Sequence, residues 1–362
     1  MQVTVLSWRD AEHPDAGGSE VFVHEISRRL VAAGHRVTLV TSRPAGSTAR
    51  STRDGVLIRR RGGRLTVYLH GLAYLLSREG RRSEAVVEVI NGLPFGARLV
   101  RRRGLLAVVH HLHQSQWSLI YPGLKGRVGW WVESAVTPAL YRHVPMVTVS
   151  EPSRHDLLAL GIEDVTVVHN GTGSFPVASE TSPTPLLCVL ARLVPHKQIE
   201  HAFETLADLR ADHPDLRLDV IGDGWWADQL TAYAAQVGVA DLVTWHGHVP
   251  DAERDALLGR AWIALLPSTR EGWGLSIVEA GVQGTPTIAY RSAGGVTEAI
   301  VDGRTGLLVA DRPAMTAAVR DLLADPERLA AMSRDARRHA AAYSWDDSAA
   351  AFSDVLGRVV RP

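Results

Sequence analysis

The sequence predicts an α/β protein made of two doubly wound, Rossmann-like domains with parallel sheets. The 362 residues correspond to about two domains at roughly 150 residues each. Each half repeats the same alternation of short apolar strands and amphipathic helices, which is typical of β-α-β units. A stretch rich in Ser, Thr and Pro at residues 175–185 separates the halves and has the composition of a linker.

The first half opens with a β-α-β unit. Residues 3–6 predict a strand, Ser19 is expected to cap the following helix, and Gly34 is expected to end it. A second strand is predicted at residues 37–40, and this compact order favours parallel pairing. Three further apolar runs predict strands at residues 85–90, 105–109 and 146–149.

The second half repeats this organisation. Strands are predicted at residues 186–190, 216–221, 262–266 and 285–289, and helices at about 199–209 and 275–282. The predicted domains are residues 1–175, joined by a final helix at 344–362, and residues 186–343. Because ligands of open α/β sheets bind beyond the carboxyl ends of the strands, the site is expected in a cleft between the domains.

Composition excludes several classes of protein. Lys and Arg total 39, as do Asp and Glu, and this zero formal charge disfavours a nucleic-acid-binding protein. A single cysteine, Cys188, cannot form an internal disulfide and fits a reducing compartment. No apolar run reaches the ~18 residues of a membrane span, and the first residues lead directly into a strand rather than a signal peptide. We therefore expect a cytoplasmic globular protein.

The segment 266–280 carries the strongest chemical signal. A strand ends, a loop bracketed by glycines follows, and Gly274 lets the backbone approach a ligand closely. The amides of Leu275 and Ser276 would then be free donors at a helix N-terminus, which is suited to phosphate. Glu271 and Glu279 are offset along the segment, so each is expected to accept hydrogen bonds from sugar or ribose hydroxyls. Taken alone, Glu279 could equally serve the helix dipole.

This segment resembles the E-x7-E motif of glycosyltransferase family 4, whose members are nucleotide-sugar transferases with the GT-B fold. Residues 191–197 resemble the family's Arg and Lys pair, which implies that Arg192 and Lys197 hold the donor diphosphate. Their spacing lets both cations reach one anion. Gln198 stands where the family usually has glycine.

Further segments resemble the family in the same order along the chain, including residues 17–20, 147–153, 169–171, 293–295 and 303–308. Together with the motifs above, the resemblance implies a donor site made of Gly17, Gly18, Arg192, Lys197, Gly222, Asp223, His248, Val249, Glu271, Gly272, Trp273, Gly274, Leu275, Ser276 and Glu279.

His110 follows a predicted strand, and the resemblance implies that it lies near the donor sugar. With Arg192, Lys197 and Glu271 it forms the predicted catalytic set. A zinc site around His110, His111 and His113 is disfavoured, because no fourth ligand has a recognisable spacing. The chain also lacks an Asp-x-Asp motif, so we expect no metal and no cofactor, with the leaving charge met by cations and the helix N-terminus. His111, His113 and Trp117 are predicted on the acceptor side.

The resemblance implies a transferase that retains the anomeric configuration and moves a sugar from a GDP- or UDP-linked donor to an acceptor hydroxyl. The acceptor could be a glycan, a lipid-linked molecule or a small natural product. A nucleotide-sugar epimerase of similar fold and a non-enzymatic sugar-nucleotide binder remain alternatives. An oxidoreductase is disfavoured, since no Gly-x-Gly-x-x-Gly follows the first strand.

Two basic clusters suggest a further hypothesis. Arg59–Arg61 with Arg64, and Arg98 with Arg101–Arg103, precede a stretch that contains Trp117, Trp130 and Trp131. Basic residues beside tryptophans could mark a peripheral contact with a membrane at its inner face, or a lipid acceptor. A solvated surface and the floor of an acceptor pocket are the alternatives, and the sequence leaves the oligomeric state open.

Overall fold

The computed structural model describes residues 1–173, 175 and 180–360. These residues divide into two α/β units, which we call unit 1 (residues 1–170 with the chain end from Trp345) and unit 2 (residues 171–344). Within the predicted linker, residues 176–179 lie outside the described part of the chain.

Unit 1 contains an eight-stranded sheet in the order β3-β4-β2-β1-β5-β6-β7-β8. Its strands are β1 Gln2–Leu6, β2 Arg36–Thr41, β3 Arg50–Arg53, β4 Val56–Arg60, β5 Ala85–Val89, β6 Leu105–Val108, β7 Met146–Thr148 and β8 Val165–Val167. Neighbouring strands are parallel except for the β3–β4 pair. In register, Leu6 lies beside Val40 on one side and Glu88 on the other.

The helices of unit 1 up to residue 170 are α1 Gly18–Ala32, α2 Thr66–Leu76, α3 Gln114–Ile120, α4 Leu124–Trp131, α5 Thr137–Tyr141 and α6 Glu151–Ala159. The predicted cap at Ser19 was wrong, because the N-cap of α1 is Gly17, two residues earlier. The Glu20 carboxylate accepts a hydrogen bond from the Gly17 amide at 2.7 Å and from the Ser19 hydroxyl at 2.7 Å. Ser19 therefore supports Glu20 instead of capping the helix.

Unit 2 contains a six-stranded sheet in the order β11-β10-β9-β12-β13-β14, with every neighbouring pair parallel. Its strands are β9 Leu186–Leu190, β10 Arg217–Ile221, β11 Val243–Gly247, β12 Ile263–Leu266, β13 Thr287–Tyr290 and β14 Gly306–Val309. The strand predicted at 285–289 begins two residues later, because the Thr285 hydroxyl bonds the Leu258 carbonyl at 2.6 Å and Pro286 has no amide to donate.

The helices of unit 2 are α7 Glu200–Leu209, α8 Ala227–Gln236, α9 Asp251–Arg260, α10 Leu275–Gln283, α11 Val296–Ala299, α12 Arg312–Ala324 and α13 Pro326–Ala340. The final helix, α14 Trp345–Val360, belongs to unit 1. It packs against α1, where the Phe22 ring meets Phe352 and Trp345 with ring centroids 6.1 Å apart in both contacts.

Both sheets reverse their winding direction once. In unit 1 the reversal occurs at β1, which lies between β2 and β5; in unit 2 it occurs at β9, which lies between β10 and β12. Loops that leave neighbouring strands in opposite directions open a crevice at the carboxyl edge, where doubly wound folds bind ligands. In unit 2 these loops are residues 191–199 and 267–274, which hold the two strongest sequence motifs.

Candidate active site

The loops after β9 and β12 bring Lys197 and Glu271 into direct contact. The Lys197 Nζ lies 2.5 Å from the Glu271 Oε1, and their side chains are only 16% and 12% exposed. A backbone hydrogen bond joins the same loops, since the Thr269 amide donates to the His196 carbonyl at 2.9 Å. Two motifs that are 74 positions apart in sequence therefore form one charged cluster at the crevice.

The ion pair determines the charge of Glu271. Burial works to raise the pKa of this carboxyl, but the Lys197 cation and its hydrogen bond outweigh burial and hold the pKa below its ordinary value. Glu271 is therefore a carboxylate at neutral pH. Any anion that binds Lys197 has to compete with Glu271 for that cation.

The start of α10 lies in the same loop. Gly274 has a φ of 99°, in the left-handed region, and a Cβ at this position would lie 2.6 Å from the Ile277 Cδ1. The amides of Leu275 and Ser276 fall in the first turn, where they have no partner within the helix. Trp273 is buried, and its ring packs edge-on against Tyr343 at 5.0 Å beneath the loop.

Glu279 lies one turn inside α10 and is paired with Arg254 of α9. The Arg254 Nη1 is 3.2 Å from the Glu279 Oε1. Burial raises the pKa of Glu279 to about 7, although the Arg254 cation opposes the shift. Arg254 could not be predicted from the sequence, because nothing in its local sequence shows that α9 faces α10.

The loops after β10 and β11 complete this edge of unit 2. Gly222 has a φ of 126°, and a Cβ there would lie 2.0 Å from the Ala191 carbonyl oxygen, so only glycine fits beside the β9 loop. The Gly222 amide donates to the Gly247 carbonyl at 2.8 Å. Asp223 and His248 are exposed, and Val249 packs against an apolar cluster. Because all strands are parallel, these residues share the carboxyl edge with Lys197.

Gln198 adopts the backbone conformation that glycine favours. Its φ is 46° and it follows a single 3₁₀ turn at Pro195–Lys197. The departure from the family pattern therefore leaves the loop in the left-handed geometry, at an energetic cost for a residue with a side chain. Arg192 is half-buried in the same loop.

In unit 1, the glycine loop after β1 is held by a buried ion pair. The Arg9 Nη2 lies 3.1 Å from the Glu20 Oε1, and Glu20 is almost completely buried. The Gly17 amide is already bonded to Glu20, whereas the Gly18 amide opens α1. Arg9 was not predicted from the sequence, and Glu20 was predicted only as part of the segment 17–20, without a role of its own. The spacing of three residues between Gly17 and Glu20, as in a capping box, was the available signal.

His110 follows β6 and is buried, with 6% of its surface exposed. Among the described residues, neither ring nitrogen has a hydrogen-bond partner. Burial, with a smaller contribution from His113, lowers the pKa of His110 to about 4, so the ring is neutral. The Ser153 hydroxyl donates to the His110 carbonyl at 3.0 Å and helps hold the residue. A neutral imidazole in this state can donate one hydrogen bond and accept another.

Two of the predicted acceptor residues, His113 and Trp117, bond to Glu133, and the third, His111, contacts His113. The rings of His111 and His113 stack with centroids 4.4 Å apart. The Glu133 carboxylate accepts from the His113 amide at 2.7 Å and from the Trp117 indole at 3.0 Å. Glu133 is buried in a π-helical turn at Val132–Val136. Glu133 was not predicted from the sequence, because no local pattern marks this turn.

The described histidines and carboxylates do not assemble into a metal centre. Within residues 1–173, 175 and 180–360, no group of three His, Cys, Asp or Glu side chains is arranged to hold a metal ion. In the same residues, no helix is both long and apolar enough to cross a membrane.

Two family profiles match the chain, one for each half. Glycosyltransferase Family 4 matches residues 16–172, and Glycosyl transferases group 1 matches residues 175–339. The glycogen synthase of Mycobacterium tuberculosis is 27% identical over 98% of this chain and 94% of its own length.

Solved structures share the fold. The sucrose-phosphate synthase of Thermosynechococcus elongatus superposes with a TM-score of 0.84 at 19% identity and covers 99% of this chain and 98% of its own. Anabaena HepE, solved in complex with UDP and glucose, has a TM-score of 0.74 at 17% identity and covers 99% and 100%. These likenesses confirm the predicted α/β fold class. The chain belongs to the GT-B glycosyltransferases that join a family 4 domain to a group 1 domain.

Proposed function

We propose that this glycosyltransferase moves a sugar from a nucleoside diphosphate sugar to an acceptor hydroxyl, with retention and without a metal ion. The observation that carries the proposal is the meeting of Lys197, Glu271 and the N-terminus of α10 at the point where the unit 2 sheet reverses. A cation beside free amides suits a diphosphate, and a carboxylate suits hydroxyls. Anabaena HepE, which shares the fold and was solved with UDP and glucose, supports the same class of ligand.

Transfer breaks the bond between the sugar C1 and a phosphate oxygen and forms a bond from C1 to the acceptor oxygen. Negative charge grows on the departing diphosphate. Arg192, Lys197 and the amides of Leu275 and Ser276 would stabilise that charge. As the family resemblance implies, the acceptor proton passes to the departing phosphate oxygen on the same face of the sugar. No protein nucleophile is then required.

The carboxylates have separate roles in this proposal. Glu271, held ionised by Lys197, accepts hydrogen bonds from hydroxyls of the donor sugar. Glu279 accepts from the ribose hydroxyls, and Arg254 opposes the rise in the pKa of Glu279 that burial causes. Asp223, His248 and Val249 lie at the edge where the nucleoside would extend. The nucleoside diphosphate of the donor is GDP or UDP.

The residues of unit 1 are assigned from their own surroundings. The ring nitrogens of His110, which have no hydrogen-bond partner in the described part of the chain, suit a sugar hydroxyl or the transferring group. The Gly18 amide supplies a backbone donor. His111, His113 and Trp117 are assigned to the acceptor, and Glu133 holds the last two. The acceptor is a glycan, a lipid-linked molecule or a small natural product.

A thermal-shift panel of UDP- and GDP-linked hexoses tests donor binding. A ligand at 100 times its dissociation constant stabilises the folded state by about 2.7 kcal/mol. The active donor is then incubated with candidate acceptors in the presence of EDTA, and product anomers are read by NMR. Release of nucleoside diphosphate should depend on acceptor. An inverted product would refute retention, conversion of donor without acceptor would indicate an epimerase, and loss of transfer in EDTA would refute metal independence.

A further inference from the structure

Large apolar side chains at least half exposed are concentrated in one stretch of unit 1. They are Leu65, Leu69, Leu76, Leu99, Leu124, Val128, Trp130 and Trp131. Across the rest of the described chain, only Phe175 and Trp225 reach this exposure. An apolar concentration of this kind marks an interaction surface.

On α2 the exposed residues form a stripe. Leu65, Leu69 and Leu76 are spaced by four and seven positions, which places them on one side of a helix with about 3.6 residues per turn. The opposite side, with Val67, Gly71 and Leu75, is buried. The apolar stripe therefore exists in addition to the face that packs on the sheet.

On α4 the large apolar residues lie on the exposed face, the reverse of the usual arrangement in an amphipathic helix. Leu124 (74% exposed), Val128 and Trp131 (56% exposed) are spaced by four and three positions and point outward. Gly126 and Gly129 form the buried face, where a Cβ on Gly129 would lie 2.3 Å from the Trp117 ring. The helix thus buries its smallest residues and exposes its largest apolar ones. Trp117, which the sequence grouped with Trp130 and Trp131, lies beneath this helix.

The two stripes begin close to each other. The Arg64 guanidinium, next to Leu65, lies 5.3 Å from the centre of the Tyr121 ring, three residues before α4. We call the surface formed by Leu65, Leu69, Leu76, Leu124, Val128 and Trp131 the apolar face.

Exposed cations flank the apolar face, just before α2 and within α4. Arg61, Arg64, Lys125 and Arg127 are exposed. The sequence has no Asp or Glu between Asp54 and Glu79 or between Glu88 and Glu133. Not every arginine of the basic clusters contributes, because Arg60 is buried and paired with Asp10 at 2.5 Å. In a chain of zero formal net charge, this surface is therefore locally positive.

We propose that the apolar face docks on the surface of an anionic lipid bilayer. Leucines and a tryptophan enter the interfacial layer, and the flanking cations meet lipid phosphates. A second copy of the chain is the poorer occupant, since a symmetric contact would set Lys125 and Arg127 against like charges. The proposal does not depend on sugar transfer.

Cosedimentation of the full chain with vesicles tests the proposal. The vesicles are pure phosphatidylcholine, or phosphatidylcholine mixed with phosphatidylglycerol. One variant combines Leu124→Ser, Val128→Ser and Trp131→Ser; a second combines Lys125→Ser and Arg127→Ser and leaves the apolar stripes intact. Trp225→Ser, an exposed tryptophan of unit 2, is the matched control. Circular dichroism and thermal midpoints show that each variant folds.

Binding is expected to require the anionic lipid and to weaken with salt. Each lost cation should reduce partitioning about fivefold, corresponding to about 1 kcal/mol near the surface. The apolar variant should lose at least about tenfold, and the control should bind as the parent does. No binding of the parent to anionic vesicles would overturn the proposal, and so would parent-like binding of both variants. A dimer that the apolar variant dissociates, without a change in vesicle binding, would assign the face to a second copy.

Discussion

Replacing Lys197 and Glu271, singly and together, separates the structural role of this pair from its role in transfer. The variants are Lys197→Met and Glu271→Gln, which keep side-chain length and remove the charge. In the parent, the charged atoms are 2.5 Å apart and both side chains are largely buried. Each single variant therefore leaves a buried partner without its counter-ion.

The stability effects should not add. Breaking a fully buried pair costs about 3–5 kcal/mol, and the partial exposure of this pair reduces our expectation to about 2 kcal/mol for each single variant. The double variant leaves no uncompensated charge, so it should unfold within about 1 kcal/mol of the parent. Urea denaturation with parallel fluorescence and circular dichroism measures these differences.

Transfer should behave differently. Lys197 is proposed to meet charge that grows on the leaving diphosphate, and loss of such a donor costs about 10²–10³-fold in turnover. The double variant should therefore recover stability without recovering transfer. Rates are measured by release of nucleoside diphosphate from the donor that the thermal-shift panel identifies. Near-parent turnover in Lys197→Met, or recovery of turnover in the double variant, would refute the assigned role.

Three further predictions concern stability. Gln198→Gly should stabilise the folded state by about 0.5–1 kcal/mol, because glycine adopts the left-handed backbone conformation of this position without strain. The measured result would be a small rise in the urea midpoint, and a lower midpoint would contradict the prediction. Gly222→Ala should lower the free energy of unfolding by about 2–4 kcal/mol, because its Cβ would overlap the Ala191 carbonyl. The matched Gly247→Ala also has a positive φ but has open space around it, and it should lower the free energy of unfolding by about 1 kcal/mol. Equal losses in the two variants would refute the packing argument. The pKa of His110 is lowered to about 4, so the stability linked to its neutral ring is complete above pH 6.5 and is lost as the pH falls toward 4. The free energy of unfolding should therefore fall by about 3 kcal/mol over this range, and His110→Leu should abolish this fall in denaturation measured at several pH values. The same loss of stability at low pH in His110→Leu would exclude His110 as its source.

The strands that form the centre of both sheets could be predicted from sequence because each is a short apolar run buried on two faces. β3 could not, since Arg50–Arg53 contains no apolar residue and pairs at the sheet edge. Helix α4 also escaped prediction, because its buried face is glycine and its apolar residues point outward, the reverse of the pattern that identifies amphipathic helices.

Some residues of the candidate site could be predicted from the sequence and others could not. Lys197 and Glu271 were predicted because each lies in a loop with a recognisable local pattern directly after a strand. Arg9, Arg254 and Glu133 were not, since each acts on a residue of another element, and such partners are set by packing rather than by spacing. Arg254 meets Glu279 because α9 lies beside α10, and no short sequence pattern contains that relation.

Two cations at the ligand-binding edge of unit 2 have carboxylate partners before any ligand binds. Lys197 pairs with Glu271, and Arg254 pairs with Asp255 and Glu279, so each of these cations has a carboxylate partner in the free protein. A diphosphate that takes Lys197 also removes the counter-ion of Glu271, which then needs hydrogen-bond donors of its own. The hydroxyls of an attached sugar are such donors, whereas a bare nucleoside diphosphate has none at that position. In the proposed mode of binding, the intact donor therefore satisfies both members of the pair, and the released diphosphate satisfies only one, which favours its departure after transfer.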